Sequence, residues 1–208
     1  MDNLLRSIFA TLLVLAAFAP VSSSSAQEAA PKPKPAKAKS TKPNPKPKHA
    51  APATAPKVGG VQPTLLGTYG EWGAYTASPG GRKICFALAK PGKSATVPLN
   101  RPRDPAYLFV SSRPAEKVKD EVSIIIGYGF KSDSDATVEL SGAKYAMYTQ
   151  GDGAWVKNAA EEPRLVQAMR KGSELTVKGE SSRGTATTDV YSLKGLSQAL
   201  DKVDQECQ

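Results

Sequence analysis

The chain has 208 residues, with 28 lysines and arginines, 19 aspartates and glutamates, and a formal net charge of +9. Two cysteines and one histidine are too few for a four-ligand zinc site and make a histidine-dependent nucleophilic centre hard to build. Residues 27–63 have eight lysines and one glutamate, whereas residues 64–208 have 19 basic and 17 acidic side chains. A near-neutral folded region disfavours nucleic acid as a partner. The composition predicts no metal and no cofactor.

Residues 1–26 have the pattern of an export signal. Arg6 precedes an apolar stretch of twelve residues, from Ile8 to Ala19, which has the length of a signal-peptide core and is short for a membrane span. Small residues lead up to a cleavage point between Ala26 and Gln27. We therefore predict a signal peptide and a periplasmic or outer-surface address. An uncleaved signal anchor is the alternative interpretation.

Residues 27–63 are predicted to be a disordered linker rich in proline and lysine. Nine prolines and very few large apolar side chains cannot bury enough surface to offset the entropy of ordering. An extended polyproline II chain of this length reaches about 115 Å, at about 3.1 Å per residue. The dense positive charge predicts contact with anionic envelope polymers or lipid head groups. The candidate contact residues are Lys32, Lys34, Lys37, Lys39, Lys42, Lys46 and Lys48.

From residue 64 onward the pattern is mainly β. Short runs rich in β-branched and aromatic residues alternate with turn residues, as is typical of an antiparallel sandwich or barrel. We predict an antiparallel β-sandwich of about nine short strands with two short helices, one of them C-terminal. The predicted strands are 68–77, 82–90, 105–112, 121–129, 136–141, 144–149, 154–157, 173–180 and 184–191.

Two helices are predicted within this pattern. Pro163 suits a first helical turn, and Gly172 ends that helix. Ser192 is placed to cap a second helix, which has an amphipathic stripe. The stripe, interpreted as core packing, consists of Leu193, Leu196, Leu200 and Val203.

The two cysteines predict a disulfide. Cys85 lies in a predicted strand, and Cys207 lies on the apolar face of the last helix. An exported protein with two such cysteines is expected to join them. The alternative is a redox-active thiol at Cys85, next to Arg82 and Lys83.

No catalytic motif is visible. Asp133 and Asp135 lack the glycine and distal glutamate of a calcium loop, and Glu161 and Glu162 are neighbours that do not converge on one atom. Asp152 is expected in a hairpin turn. An aromatic cluster is interpreted as core or, alternatively, as a platform on which a glycan stacks; it comprises Tyr145, Met147, Tyr148 and Trp155.

Four segments, 82–91, 145–162, 164–172 and 184–200, together with Cys207, resemble the invasion-associated locus B family of exported bacterial proteins. The resemblance covers about residues 68–207, and the C-terminal part is the most specific. It implies that residues 64–208 form a secreted β-sandwich domain, associated in some pathogens with host-cell invasion. It carries over no catalytic residue.

These observations predict a non-enzymatic protein of the periplasm or cell surface that acts in envelope or host-cell interaction. Its partners would be anionic envelope polymers or lipid head groups, contacted through the tail, and the host-cell surface. The alternative is a periplasm-spanning structural coupler that keeps its N-terminal anchor and uses the extended tail as a spacer. Nothing in the sequence identifies the ligand or the oligomeric state.

Overall fold

The structure is a computed structural model that describes residues 55–208, so the predicted signal peptide and the seven candidate tail lysines lie outside the described residues. The fold is mainly antiparallel β with two helices, which confirms the predicted fold class, although with eleven strands rather than about nine. The strands are β1 (Thr64–Tyr69), β2 (Trp72–Ala77), β3 (Ile84–Ala89), β4 (Lys93–Val97), β5 (Tyr107–Arg113), β6 (Val118–Ile125), β7 (Ala136–Leu140), β8 (Ala143–Gln150), β9 (Gly153–Val156), β10 (Glu174–Glu180) and β11 (Ala186–Ser192). The α-helices are α1 (Glu162–Lys171) and α2 (Leu196–Glu206).

The strands form one antiparallel ladder in the order β1-β2-β3-β5-β6-β9-β8-β7-β10-β11-β4. The ladder folds back on itself. Evidence for this is a hydrogen bond of 2.9 Å from the indole Nε1 of Trp72 on β2 to the carbonyl oxygen of Ser192 on β11. Side chains from both halves of the ladder and from both helices share one core. The two halves therefore face each other across that core.

Strands β2, β3 and β5 are buried on both faces. Ala74, Ala87 and Val110 point into the main core, whereas their neighbours pack into a second apolar cluster on the outer face. This second cluster comprises Ala55, Tyr75, Phe86, Leu88 and Phe109. The continuous apolar sequence of β3 follows from this double burial.

The structure differs from the predicted strands in two places. The predicted strand 68–77 is divided into β1 and β2 by a turn at Gly70, whose φ of 61° is left-handed. Strand β4 was not predicted, because its side chains are largely exposed and show no apolar alternation. Backbone pairing with β11 alone identifies it.

Helix α1 begins with Pro163 in its first turn and ends before Gly172, as predicted. Helix α2 begins at Leu196 rather than directly after Ser192, because Gly195, with a φ of 96°, precedes it. The predicted stripe is buried, as core packing requires. Among residues 55–208, no helix is long and apolar enough to cross a membrane.

Residues 55–63, assigned to the linker by sequence, contact the second apolar cluster. Ala55 is buried in that cluster, and the side-chain amide of Gln62 donates a hydrogen bond of 3.1 Å to the carbonyl oxygen of Ala55. Val58 and Val61 pair through both of their backbone groups. This stretch therefore forms a turn held against the sheet.

Candidate functional site

A cleft of about 810 Å³ lies where three connections meet: the segment between β4 and β5, the loop after β6, and the turn between β10 and β11. Loops that a rigid sheet positions are the usual place for binding groups. Its polar lining consists of Thr96, Arg101, Arg103, Asp104, Tyr128, Ser181, Ser182, Arg183, Thr185 and Thr187.

Arg103 and Asp189 form a buried ion pair beside this cleft. Asp189 is fully buried on β11, and Arg103 keeps only 12% of its side chain exposed. The two guanidinium nitrogens of Arg103 each donate to one carboxylate oxygen of Asp189, at 2.8 Å for Nη1–Oδ2. This two-point geometry is the strong form of the arginine–carboxylate interaction.

Other groups complete the hydrogen bonding of this pair. The hydroxyl of Ser94 on β4 donates to Asp189 Oδ1 at 2.7 Å. The Nη1 of Arg103 also donates to the carbonyl oxygen of Ile126 at 2.9 Å. The pair therefore ties β4, β11 and the loop after β6 together, and both carboxylate oxygens of Asp189 accept hydrogen bonds from within the fold.

The remaining lining offers hydroxyl groups and exposed cations. The hydroxyls of Tyr128 and Thr187 lie 2.7 Å apart, and burial raises the pKa of Tyr128, so the phenol stays protonated at neutral pH. Arg101 and Arg183 are exposed at the rim. Asp104 is the one carboxylate in this lining, which contains no histidine or cysteine. Such a surface can bind polar or anionic groups by hydrogen bonds and charge.

Cys85 and Cys207 form the predicted disulfide, with their Cα atoms 5.9 Å apart. Both described cysteines are thus bonded, which argues against the redox-thiol interpretation of Cys85. The bond fixes the end of α2 to β3. Next to it, Lys83 donates to the Glu206 carboxylate at 2.8 Å and to the carbonyl oxygen of Glu206 at 2.6 Å.

Three of the acidic residues considered in the sequence lie in an ion pair, a turn and a backbone contact. Asp135 pairs with Lys157, and Asp133 occupies a turn with a φ of 56°. The Glu162 carboxylate accepts a hydrogen bond of 2.7 Å from the Val122 backbone N–H, and burial raises the pKa of Glu162. Within residues 55–208 there is no cluster of three or more His, Cys, Asp or Glu residues that could hold a metal ion.

The predicted aromatic cluster is divided by the sheet. Tyr145 and Met147 point into the main core, whereas Tyr148 and Trp155 lie on the opposite face with their rings stacked. The core interpretation is therefore confirmed for Tyr145 and Met147, whereas the glycan interpretation stays a prediction for Tyr148 and Trp155.

Sequence reasoning missed the Arg103–Asp189 pair. Asp189 alone carried a usable signal. It alternates along β11 with Thr187 and Tyr191, and this pattern puts its side chain on the buried face of the strand. Nothing in the sequence marks Arg103 as its partner, because 86 residues separate the two.

Residues 72–204 match the family model described as invasion associated locus B (IalB) protein. The match spans most of the described sheet, the whole cleft, and the cysteine of β3. No curated protein and no solved structure shows a significant match to the chain. Because the family model covers well over half of the sequence, the chain belongs to the invasion-associated locus B family.

Proposed function

We propose that this protein is exported and acts in the periplasm or at the cell surface as a non-enzymatic protein of envelope or host-cell interaction. The observation that carries the proposal is the family match over residues 72–204. The Cys85–Cys207 disulfide supports it, since such bonds persist in oxidising compartments outside the cytoplasm.

The chemistry of the cleft supports a binding role rather than catalysis. Asp189 is saturated by hydrogen bonds from Arg103 and Ser94, and Tyr128 pairs with Thr187. A nucleophile activated by an adjacent base requires a different arrangement, with the base within reach and oriented by a third group. The groups that remain are suited to recognition.

The tail supplies the second part of the proposal. Its candidate lysines, Lys32 to Lys48, would attract anionic envelope polymers or lipid head groups, while residues 64–208 carry almost balanced charge. The attraction would be strongest at low ionic strength, because salt screens exposed charges.

The test is a binding screen with the purified exported protein against peptidoglycan sacculi, outer-membrane fractions and host cells. Binding to at least one of them is expected, with a salt-sensitive component. Replacing the seven tail lysines with serine should remove that component, and replacing them with arginine should preserve it. Retention on none of the three surfaces would refute the proposed role, and turnover of an envelope glycan would refute the non-enzymatic assignment.

A further inference from the structure

The outer face of β8 and β9 carries a stacked aromatic pair. The rings of Tyr148 and Trp155 have centroids 5.6 Å apart and planes inclined by 22°. The two residues are direct cross-strand neighbours. Tyr148 keeps 45% of its surface exposed, and Trp155 is partly exposed. The pair thus presents aromatic surface to solvent on the outer face of the sheet.

Gly153 sets the position of the Trp155 ring. A Cβ atom on Gly153 would overlap the six-membered ring of Trp155, so the indole lies directly against the main chain of β9. The backbone of Gly153 does not require glycine, because its φ is not left-handed. The absence of a side chain therefore serves the placement of the ring.

A polar group borders the aromatic pair. The Nζ of Lys157 lies 2.7 Å from Oδ2 of Asp135, and both side chains are about half exposed. Asp135 directly precedes Ala136, which pairs with Met147, so it lies next to Tyr148 across the β7–β8 ladder. The backbone N–H of Lys157 donates to the Ala146 carbonyl oxygen at 2.8 Å. The ion pair therefore links the residues next to the ends of β7 and β9 across the intervening β8, close to Tyr148.

We propose that Tyr148, Trp155, Lys157 and Asp135 form a glycan-binding site that holds a pyranose ring of an envelope or host-cell polysaccharide. The face of a pyranose that is rich in C–H bonds packs on aromatic rings, and its hydroxyls both donate and accept hydrogen bonds. A lysine ammonium donates and a carboxylate accepts, so this ion pair suits two neighbouring hydroxyls. Exposed apolar surface with a polar border is typical of ligand sites.

The arginine-rimmed cleft is less suited to this ligand. Its cations favour anionic groups, and Tyr128, its one aromatic lining residue, packs edge-on against Phe130. The sheet face combines stacking with an ion pair whose two charges balance, which favours a glycan without net charge. The inference rests on the proposed function in one respect: a protein in the periplasm or at the cell surface would encounter such a glycan.

The experiment measures binding of tetra-N-acetylchitotetraose and cellotetraose to the exported protein by calorimetry and by tryptophan fluorescence. The only other tryptophan, Trp72, is fully buried, so a spectral change reports on Trp155. Tyr148→Ala and Trp155→Ala should each weaken binding by about tenfold, the factor that corresponds to about 1.4 kcal/mol. Tyr148→Phe keeps the ring and should bind like wild type. Leu99→Ala, a change at another exposed apolar side chain, is the matched control.

Unfolding curves of each variant separate lost binding from lost folding. If Tyr148→Ala does not fold, Lys157→Ala, which removes an exposed side chain, should still fold and bind several-fold more weakly. Failure of the wild type to bind both oligosaccharides would overturn the inference. Equal affinity of wild type, Tyr148→Ala and Lys157→Ala would also overturn it, by placing binding elsewhere. Envelope binding without oligosaccharide binding would reject the glycan site and leave the proposed function standing.

Discussion

At the residue scale, Asp189 and Arg103 connect the strands and the loop that border the cleft. Each side chain can be buried because the opposite charge of the other balances it. The Ser94 hydroxyl also donates a hydrogen bond to Asp189, and the Ile126 carbonyl oxygen accepts one from Arg103. Removing one charge leaves its partner buried and unpaired, which costs far more than the pair contributes.

Asp189→Ala is therefore expected to lower the free energy of unfolding by about 3–5 kcal/mol. Urea denaturation measures the loss. The double variant Arg103→Met with Asp189→Leu should lose much less than the sum of the single changes, because no charge remains buried. A loss below about 1 kcal/mol for Asp189→Ala would show that Arg103 is readily hydrated in the folded state.

Asp120 is a residue whose charge opposes folding. Burial raises the pKa of Asp120, and the neighbouring Asp204 adds to the effect. Its Oδ1 is buried and, among the described residues, has no hydrogen-bond partner. Its φ of 57° lies in the left-handed region, which asparagine tolerates well. The native state thus binds the Asp120 proton more tightly than the unfolded chain does.

The consequence is a defined pH dependence. The pKa of Asp120 is higher in the folded protein than in the unfolded chain. The contribution of Asp120 to the free energy of unfolding therefore falls as the pH rises from the unfolded-state pKa through the folded-state pKa. Asp120→Asn should be more stable than wild type at pH 7, because the amide has no charge to remove from water. The difference should vanish near pH 3, where both states of the wild type are protonated. Urea unfolding at the two pH values checks this, and a difference independent of pH would reject the explanation.

At the element scale, helix α2 is held at both of its ends. Gly195 at its start lies against the β1–β2 turn, where a Cβ atom would overlap the carbonyl oxygen of Tyr69. Gly70 in that turn meets Lys194 in the same way, since its Cβ would lie 2.6 Å from that carbonyl oxygen. The disulfide holds the other end to β3. The buried stripe alone would leave the terminal turn open to fraying.

Cys207→Ser is expected to lower the free energy of unfolding by about 2–5 kcal/mol. Denaturation under oxidising conditions measures the change, and Cys85→Ser should produce a similar loss. Under strong reductant, wild type and both variants should converge. Alkylation of two thiols in the native exported protein would contradict the bridge and restore the redox interpretation of Cys85.

Gly195→Ala tests the other end of the helix. The change combines a left-handed φ of 96° with an overlap against the Tyr69 carbonyl, so it should cost more than about 3 kcal/mol. Gly184→Ala is the matched control, because Gly184 has a φ of 75° and nothing within 4 Å of its Cβ position. The control should cost only about 1–2 kcal/mol. Equal losses in thermal unfolding would show that the contact with Tyr69 adds nothing.

Elements with a buried face could be predicted from the sequence, and those without one could not. The apolar runs of β3 and the stripe of α2 report their burial directly. Strand β4 is exposed along its length, so only its hydrogen bonds to β11 define it. The cleft could not be predicted either. Its lining comes from loops that are far apart in the sequence, and no local sequence pattern shows that these loops lie together in the fold. The disulfide was predictable because two cysteines leave one pairing.

At the scale of the whole molecule, three features of the domain bear on the compartment in which it works. The domain has its own core, a covalent bond that suits an oxidising compartment, and near-balanced charge. The positive charge and the apolar segment belong to the N-terminal part of the sequence. An exported binding protein and a membrane-anchored coupler would use the same domain, so the state of residues 1–26 separates the two.

We expect the mature protein to begin at Gln27, because small residues precede that position and the apolar stretch of twelve residues is too short for a comfortable span. N-terminal sequencing of protein isolated from the native host, together with its intact mass, measures this directly. Release by osmotic shock should accompany the cleavage, since the cut removes the apolar stretch from Ile8 to Ala19. Ala26→Leu, which places a large side chain at the cleavage point, should leave the precursor uncleaved and membrane-associated. An intact Met1 in wild type, found in the membrane fraction, would instead favour the coupler, with the proline- and lysine-rich segment as its spacer.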